Sequence, residues 1–152
     1  MRSPTANQRL VLELDAAAER VNAAVAGLTD EQASKPAADG WSVKDQLTHI
    51  TFWHEMRFFE VSRVARGGNA SFPLTEEAGV EHINNQTVEN RRSLPLSQVI
   101  ADLTFAREMV KQAVLAANDL DLSRFQEVGP IGAGHEIEHA GLIGAWRKSE
   151  GL

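Results

Sequence analysis

The sequence predicts an all-α protein, a four-helix bundle. Three observations carry that prediction. Four long stretches repeat apolar residues at spacings of three and four. No segment of four or more residues shows the strict alternation of a strand. The connectors are of medium length and are punctuated by Pro and Gly, which suits helices packed side by side. The chain of 152 residues is expected to form one domain over 1–152, with 43% hydrophobic and 24% charged residues, a globular balance.

The first helix is predicted over 6–28. Leu10, Leu14, Ala17, Val21, Ala24, Val25 and Leu28 line one face; Glu13, Asp15, Glu19, Arg20 and Asn22 fill the other. Thr5 suits its N-cap. Residues 29–41 break the period, with a short turn at Thr29-Asp30 and punctuation at Pro36 and Gly40.

Ser42-Val43-Lys44-Asp45 reads as a capping-box-like start for a second helix over about 43–66. Leu47, Ile50, His54, Phe58, Val61 and Ala65 form one stripe, and His49, Trp53, Met56 and Glu60 a second row. Two such rows make this helix apolar around much of its circumference and therefore central. Gly67-Gly68-Asn69 ends it, and 67–78 reads as a loop containing Pro73.

A polar helix follows from Thr75 or Glu76, through Val80, Ile83, Asn84, Thr87, Val88 and Arg91. Ser93-Leu94-Pro95 interrupts it, and Pro95 suits the first turn of a new segment. That segment continues through Val99, Leu103, Ala106, Val110, Ala113, Val114 and Ala117 to about 118. Turns are expected at Asn118-Asp119 and Asp121–Ser123, then Gly129-Pro130, Gly132 and Gly134. A last helix over about 131–148 carries Ile131, His135, His139, Leu142, Ile143 and Trp146.

Composition narrows the chemistry. The chain has no Cys, so disulfides, zinc ribbons, thiolate nucleophiles and iron–sulfur ligation are excluded. Any metal must be held by histidine nitrogen and carboxylate oxygen. A charge of −6 and few aromatics argue against nucleic acid as a partner. No window approaches the roughly 20 apolar residues of a membrane span. Met1-Arg2-Ser3-Pro4 lacks the apolar core of a signal peptide, so a cytoplasmic protein with no membrane partner is expected.

The sharpest local feature is His135-Glu136-Ile137-Glu138-His139. Residues i and i+4 of a helix lie roughly 40° apart in azimuth and about 6 Å apart along the axis, so both imidazoles can reach one ion. The string matches H-E-x-x-H of the zincin proteases. The surroundings do not: Leu142 and Ala145 stand where a metzincin has its glycine and third histidine, and too little chain follows His139 for a gluzincin ligand. The third ligand must come from upstream, from His49, His54 or His82. His49, beside Trp53 and Met56, has the best surroundings. Three histidines leave coordination positions open, as in catalytic or ligand-binding sites.

Gly40-Trp41-Ser42-Val43-Lys44-Asp45-Gln46-Leu47-Thr48-His49-Ile50 and the closing His135-x-x-x-His139 with Ile143 and Trp146 resemble the DinB/YfiT-like superfamily of metal-binding four-helix bundles. The segment from Asn84 to Asp119, with Leu96, Val99 and Leu103, resembles the third helix of its ClbS/DfsB-like subgroup, here broken in two. The resemblance implies a DinB-like bundle with a metal triad of His49, His135 and His139 and a divalent ion such as zinc or nickel. It also implies activities that range from S-transfer with an external low-molecular-weight thiol (bacillithiol, mycothiol or glutathione) to hydrolysis. Glu136 departs from the subgroup, where an aromatic often stands.

Glu136 and Glu138 are both candidates to move a proton in catalysis, or to orient histidines, or to face solvent; Glu136 is the preferred catalytic candidate. Trp53, Met56 and Leu142 are expected to line the pocket. Trp41 and Trp146 are most simply packing residues. His54 reads as structural, His82 as exposed or at the rim, and Arg91-Arg92 as a solvated face or, less simply, an anionic-thiol contact. The expected function is metal-dependent enzymology on a small-molecule substrate. Non-catalytic binding or sequestration in the bundle cavity is the alternative, and a purely structural metal a weaker one. A homodimer fits such bundles, though no residue pattern marks an interface.

Overall fold

The computed structural model describes residues 3–68, 77–118 and 132–152. Among them are six helices and no strand: α1 (Ala6–Val25), α2 (Asp30–Ala33), α3 (Val43–Val64), α4 (Glu77–Arg91), α5 (Leu96–Ala116) and α6 (Ala133–Glu150). No helix among the described residues is long and apolar enough to cross a membrane. The four long helices α1, α5, α3 and α6 form a ring, each packed on the next, and α4 lies outside it against α3. The two halves of the broken third helix thus have different jobs: α5 joins the bundle, while α4 leans on the helix that carries His49.

The caps expected at Thr5 and Ser42 form as capping boxes with Gln8 and Asp45. The turn at Thr29-Asp30 is a full helical turn, α2, with its own box between Thr29 and Gln32. The first helix ends earlier than its apolar period, because Gly27 adopts φ +77 and turns the chain. Pro95 caps α5 from outside rather than sitting in its first turn. Pro95 offers no side-chain cap, and Asp30 Oδ1 of α2 accepts from Leu96 N at 2.5 Å instead. The expected loop around Pro73, the turns at Asp119 and 121–123, and Gly129-Pro130 with Ile131 fall outside the described residues.

The helix ends are also tied across the bundle. Asn7 Nδ2 donates to the carbonyls of Val114 (2.9 Å) and Ala117 (2.5 Å) at the end of α5. Arg147 Nη1 donates to Ala24 and Ala26 at the end of α1. Each satisfies carbonyls that a helix leaves without partners.

The apolar core has two parts. The larger holds Val21, Val25, Val43, Leu47, Ile50, Val99, Leu103, Ile143 and Trp146; the smaller holds Leu14, Val61, Val110, Val114 and Ala117. On α3, His54 falls between Ile50 and Val61; on α5, Arg107 falls between Leu103 and Val110. A polar layer therefore crosses the bundle between two apolar ends. Every residue from Ser42 to Ile50 is buried, which explains the double apolar row of α3: this half is surrounded.

Candidate metal centre

Helix α3 supplies His49, and α6 supplies His135 and His139 from successive turns of one face. His49 Nε2 and His135 Nε2 are 2.9 Å apart, and His139 Nε2 and His135 Nε2 are 3.1 Å apart. The rings meet edge-on or tilted, with centroids 4.6–5.1 Å apart, so nitrogens rather than faces converge. Ligand nitrogens about 2.1 Å from a shared ion lie roughly 3–3.4 Å from one another. The histidine spacing fits that requirement.

The protonation states fit it too. His139 Nδ1 lies 3.0 Å from Gln46 Oε1, an acceptor that holds the ring proton on Nδ1 and turns the Nε2 lone pair to the cluster. Burial, then the charges His135 and His139 would carry, lower His49 to about 3 against a small opposing effect of Asn84. Burial, then His139 and His54, lower His135 to about 4 against Glu138 and Glu136. Burial lowers His139 as well, opposed by Asp39 and Glu136. Three rings held neutral at neutral pH are ready to ligate without first losing a proton.

Trp41 and Trp53 flank His49, with centroids 5.0 and 6.4 Å away. Trp53 Nε1 donates to Asn84 Oδ1 of α4 at 2.9 Å, so the outlying helix steadies the wall beside the ligand. A cavity of ≈ 270 Å³ opens next to the trio, lined by Ile50, Trp53, His54, Arg57, Gly132 and His135. Trp53 is where the sequence expected it. Met56 is partly buried and Leu142 is 47% exposed, and neither is among the described lining residues. The apolar period of α6 had placed Leu142 inward, but Ile143 takes the core position next to it.

Glu136 does not face the trio as a free base. It is fully buried, 0% exposed, with Oε1 2.5 Å from His54 Nε2 and both oxygens bonded to Arg107: Nε to Oε1 at 2.9 Å and Nη2 to Oε2 at 2.5 Å. Burial pushes its carboxyl up, but the bonds from His54 and Arg107 and the Arg107 charge outweigh burial and leave it below the usual value. Glu138 is exposed and so is His82, while Arg91 and Arg92 pair with Glu55, Asp45 and Glu89. Sequence reasoning missed Gln46 and Arg107. The only signal for either was a polar residue on an otherwise apolar face.

The DinB superfamily profile matches residues 13–146, from within α1 to the end of the α6 core face. That match is at the level of the superfamily and does not reach the ClbS/DfsB-like subgroup. No curated protein and no solved structure matches the chain. With a histidine trio able to hold an ion at the place the bundle brings α3 and α6 together, the chain belongs to the DinB superfamily of metal-binding helical proteins.

Proposed function

We propose that the protein is a divalent-metal-dependent enzyme acting on a small molecule, with His49, His135 and His139 as ligands. The convergence of three imidazoles, with His135 of the trio on the wall of a cavity, carries this reading. Three protein ligands leave room for water or substrate, the condition of a reactive centre. Zinc or nickel suits an all-imidazole set. Such an ion lowers the pKa of a water or a thiol and so supplies a nucleophile at neutral pH.

S-transfer with an external thiol is the reading we favour over hydrolysis. Hydrolysis calls for a group that takes the proton from water, and Glu136, the buried carboxylate beside His135 in sequence, is held by Arg107 and His54. A thiol is far more acidic than water and makes a smaller demand on the protein. The chain contains no Cys, so the thiol must be supplied from outside. We place this chemistry in the cytoplasm, where such thiols are abundant.

The test has two parts. Protein purified without a metal-affinity tag is analysed for metals, and the loaded protein is then screened with bacillithiol, mycothiol and glutathione against an electrophile. Thiol consumption that requires the metal supports the proposal. Metal bound without any turnover would favour non-catalytic sequestration in the same cavity.

A further inference from the structure

We propose that Asn84 of α4 is a positioning residue for the ligand His49: its Oδ1 accepts from Trp53 Nε1 and, once an ion is held, from His49 Nδ1 as well. The helix outside the ring then helps to set the affinity of the centre. The proposal rests on the metal-binding reading given above and extends it to a third helix. The two ring nitrogens of His49 have different surroundings. Nε2 turns to the trio, 2.9 Å from His135 Nε2. An ion takes the lone pair at Nε2, so the neutral ring then keeps its proton on Nδ1. That Nδ1 is buried and has no hydrogen-bond partner. Buried N–H groups are almost always paired, and a metal-bound histidine almost always donates from its other nitrogen. His139 meets that demand through Gln46 Oε1, 3.0 Å from its Nδ1. His49 calls for an acceptor of the same kind.

Asn84 stands among the two indoles that flank His49. Trp53 Nε1 donates to its Oδ1 at 2.9 Å, and the Trp53 ring meets His49 edge-on. Trp41, with its ring centroid 5.0 Å from that of His49, lines one cavity together with Asn84. A carbonyl oxygen has two lone pairs, so the indole N–H leaves one for an imidazole N–H. The amide already acts on His49, favouring its protonated form, as an oxygen turned toward the ring does and an NH2 group does not. Loading an ion fixes the ring proton on Nδ1 and completes the bond. The docking of α4 has a separate tie, because Arg91 Nη2 donates to Glu55 Oε2 of α3 at 2.9 Å. Loss of the Asn84 oxygen and loosening of the helix can therefore be told apart.

Two readouts test this: zinc affinity by competition with a chelating dye, and the His49 Nδ1 proton by nitrogen-edited NMR of the zinc-loaded protein. Asn84→Ala should bind zinc about tenfold more weakly and lose the slowly exchanging Nδ1 proton signal. Asn84→Asp keeps an oxygen for both donors, so it should retain that signal and stay within about threefold of wild type. Arg91→Ala removes only a part-exposed ion pair of α4, and its affinity should also stay within about threefold of wild type. Zinc binding by Asn84→Ala equal to wild type, or a protected Nδ1 proton that persists in it, would overturn the proposal. So would an Arg91→Ala variant as weak as Asn84→Ala, which would reduce Asn84 to a docking contact. Each of those results leaves the metal centre standing. A wild type that binds no zinc would overturn both the centre and the role of Asn84.

Discussion

Two polar clusters lie side by side in the bundle, and they are built on opposite principles. In one, the Glu136 charge meets Arg107 and the hydrogen bond from His54, with Asn22 Oδ1 accepting from the far side of the guanidinium at 3.0 Å. Its charges balance within the protein. In the other, three neutral imidazoles bring their Nε2 atoms within 2.9 and 3.1 Å, and Gln46 supports His139 from behind. That cluster is rich in lone pairs, and its three rings are donors suited to a cation. Both sit on α3 and α6, in successive residues at His135 and Glu136. A polar group that is already satisfied stabilises the fold, and one left open defines the function.

The contrast predicts different consequences for damage. Arg107→Met leaves Glu136 buried without its counter-charge and should cost about 3–5 kcal/mol in urea unfolding, with the metal stoichiometry of the folded fraction unchanged. A cost under about 1 kcal/mol would mean that the layer is not closed. Gln46→Ala acts on the open cluster instead. It frees the His139 tautomer and should weaken metal binding by about 10–100-fold in a competition assay, with little change in unfolding.

The pH dependence sharpens the same distinction. Ordinary histidines with pKa near 6.5 would lose about fiftyfold in combined metal affinity between pH 7.5 and 6.0. His49 and His135, at about 3 and about 4, carry almost no proton in that window and His139 is lowered as well, so the affinity should change by less than about fourfold. For the metal-free protein the sign follows from depressed folded values. These rings add no pH dependence to stability above pH 6.5, where both states are neutral. Below it the unfolded chain takes up protons first, and stability falls from 6.5 toward 3, the His135 share ending near 4 and the His49 share near 3. Glu138→Gln, at an exposed position outside both clusters, should stay within about 0.5 kcal/mol of wild type.

What was legible in the sequence follows the range of the interactions. The caps at Thr5 and Ser42 and the shared face of His135 and His139 depend on neighbours three or four residues apart, which a helical period reveals. His49 could be nominated from its row with Trp53, although its approach to α6 needed the tertiary fold. Glu136 could not be oriented, because its partner Arg107 lies on another helix, 29 residues away. The rotation of α6 that buries Glu136 and exposes Leu142 is set by packing on α1 and α3, not by the period of α6 alone. Likewise, nothing local to Pro95 reveals that Asp30 caps α5 from α2.

The central claim is that the open cluster is completed by a divalent ion held by His49, His135 and His139. Elemental analysis of tag-free wild type and His49→Ala, with circular dichroism on the same samples, tests it most directly. About one ion per wild-type chain is expected, with a large loss in His49→Ala at equal helicity. Full occupancy in His49→Ala, or a wild type that takes up no divalent ion when one is offered, would contradict it.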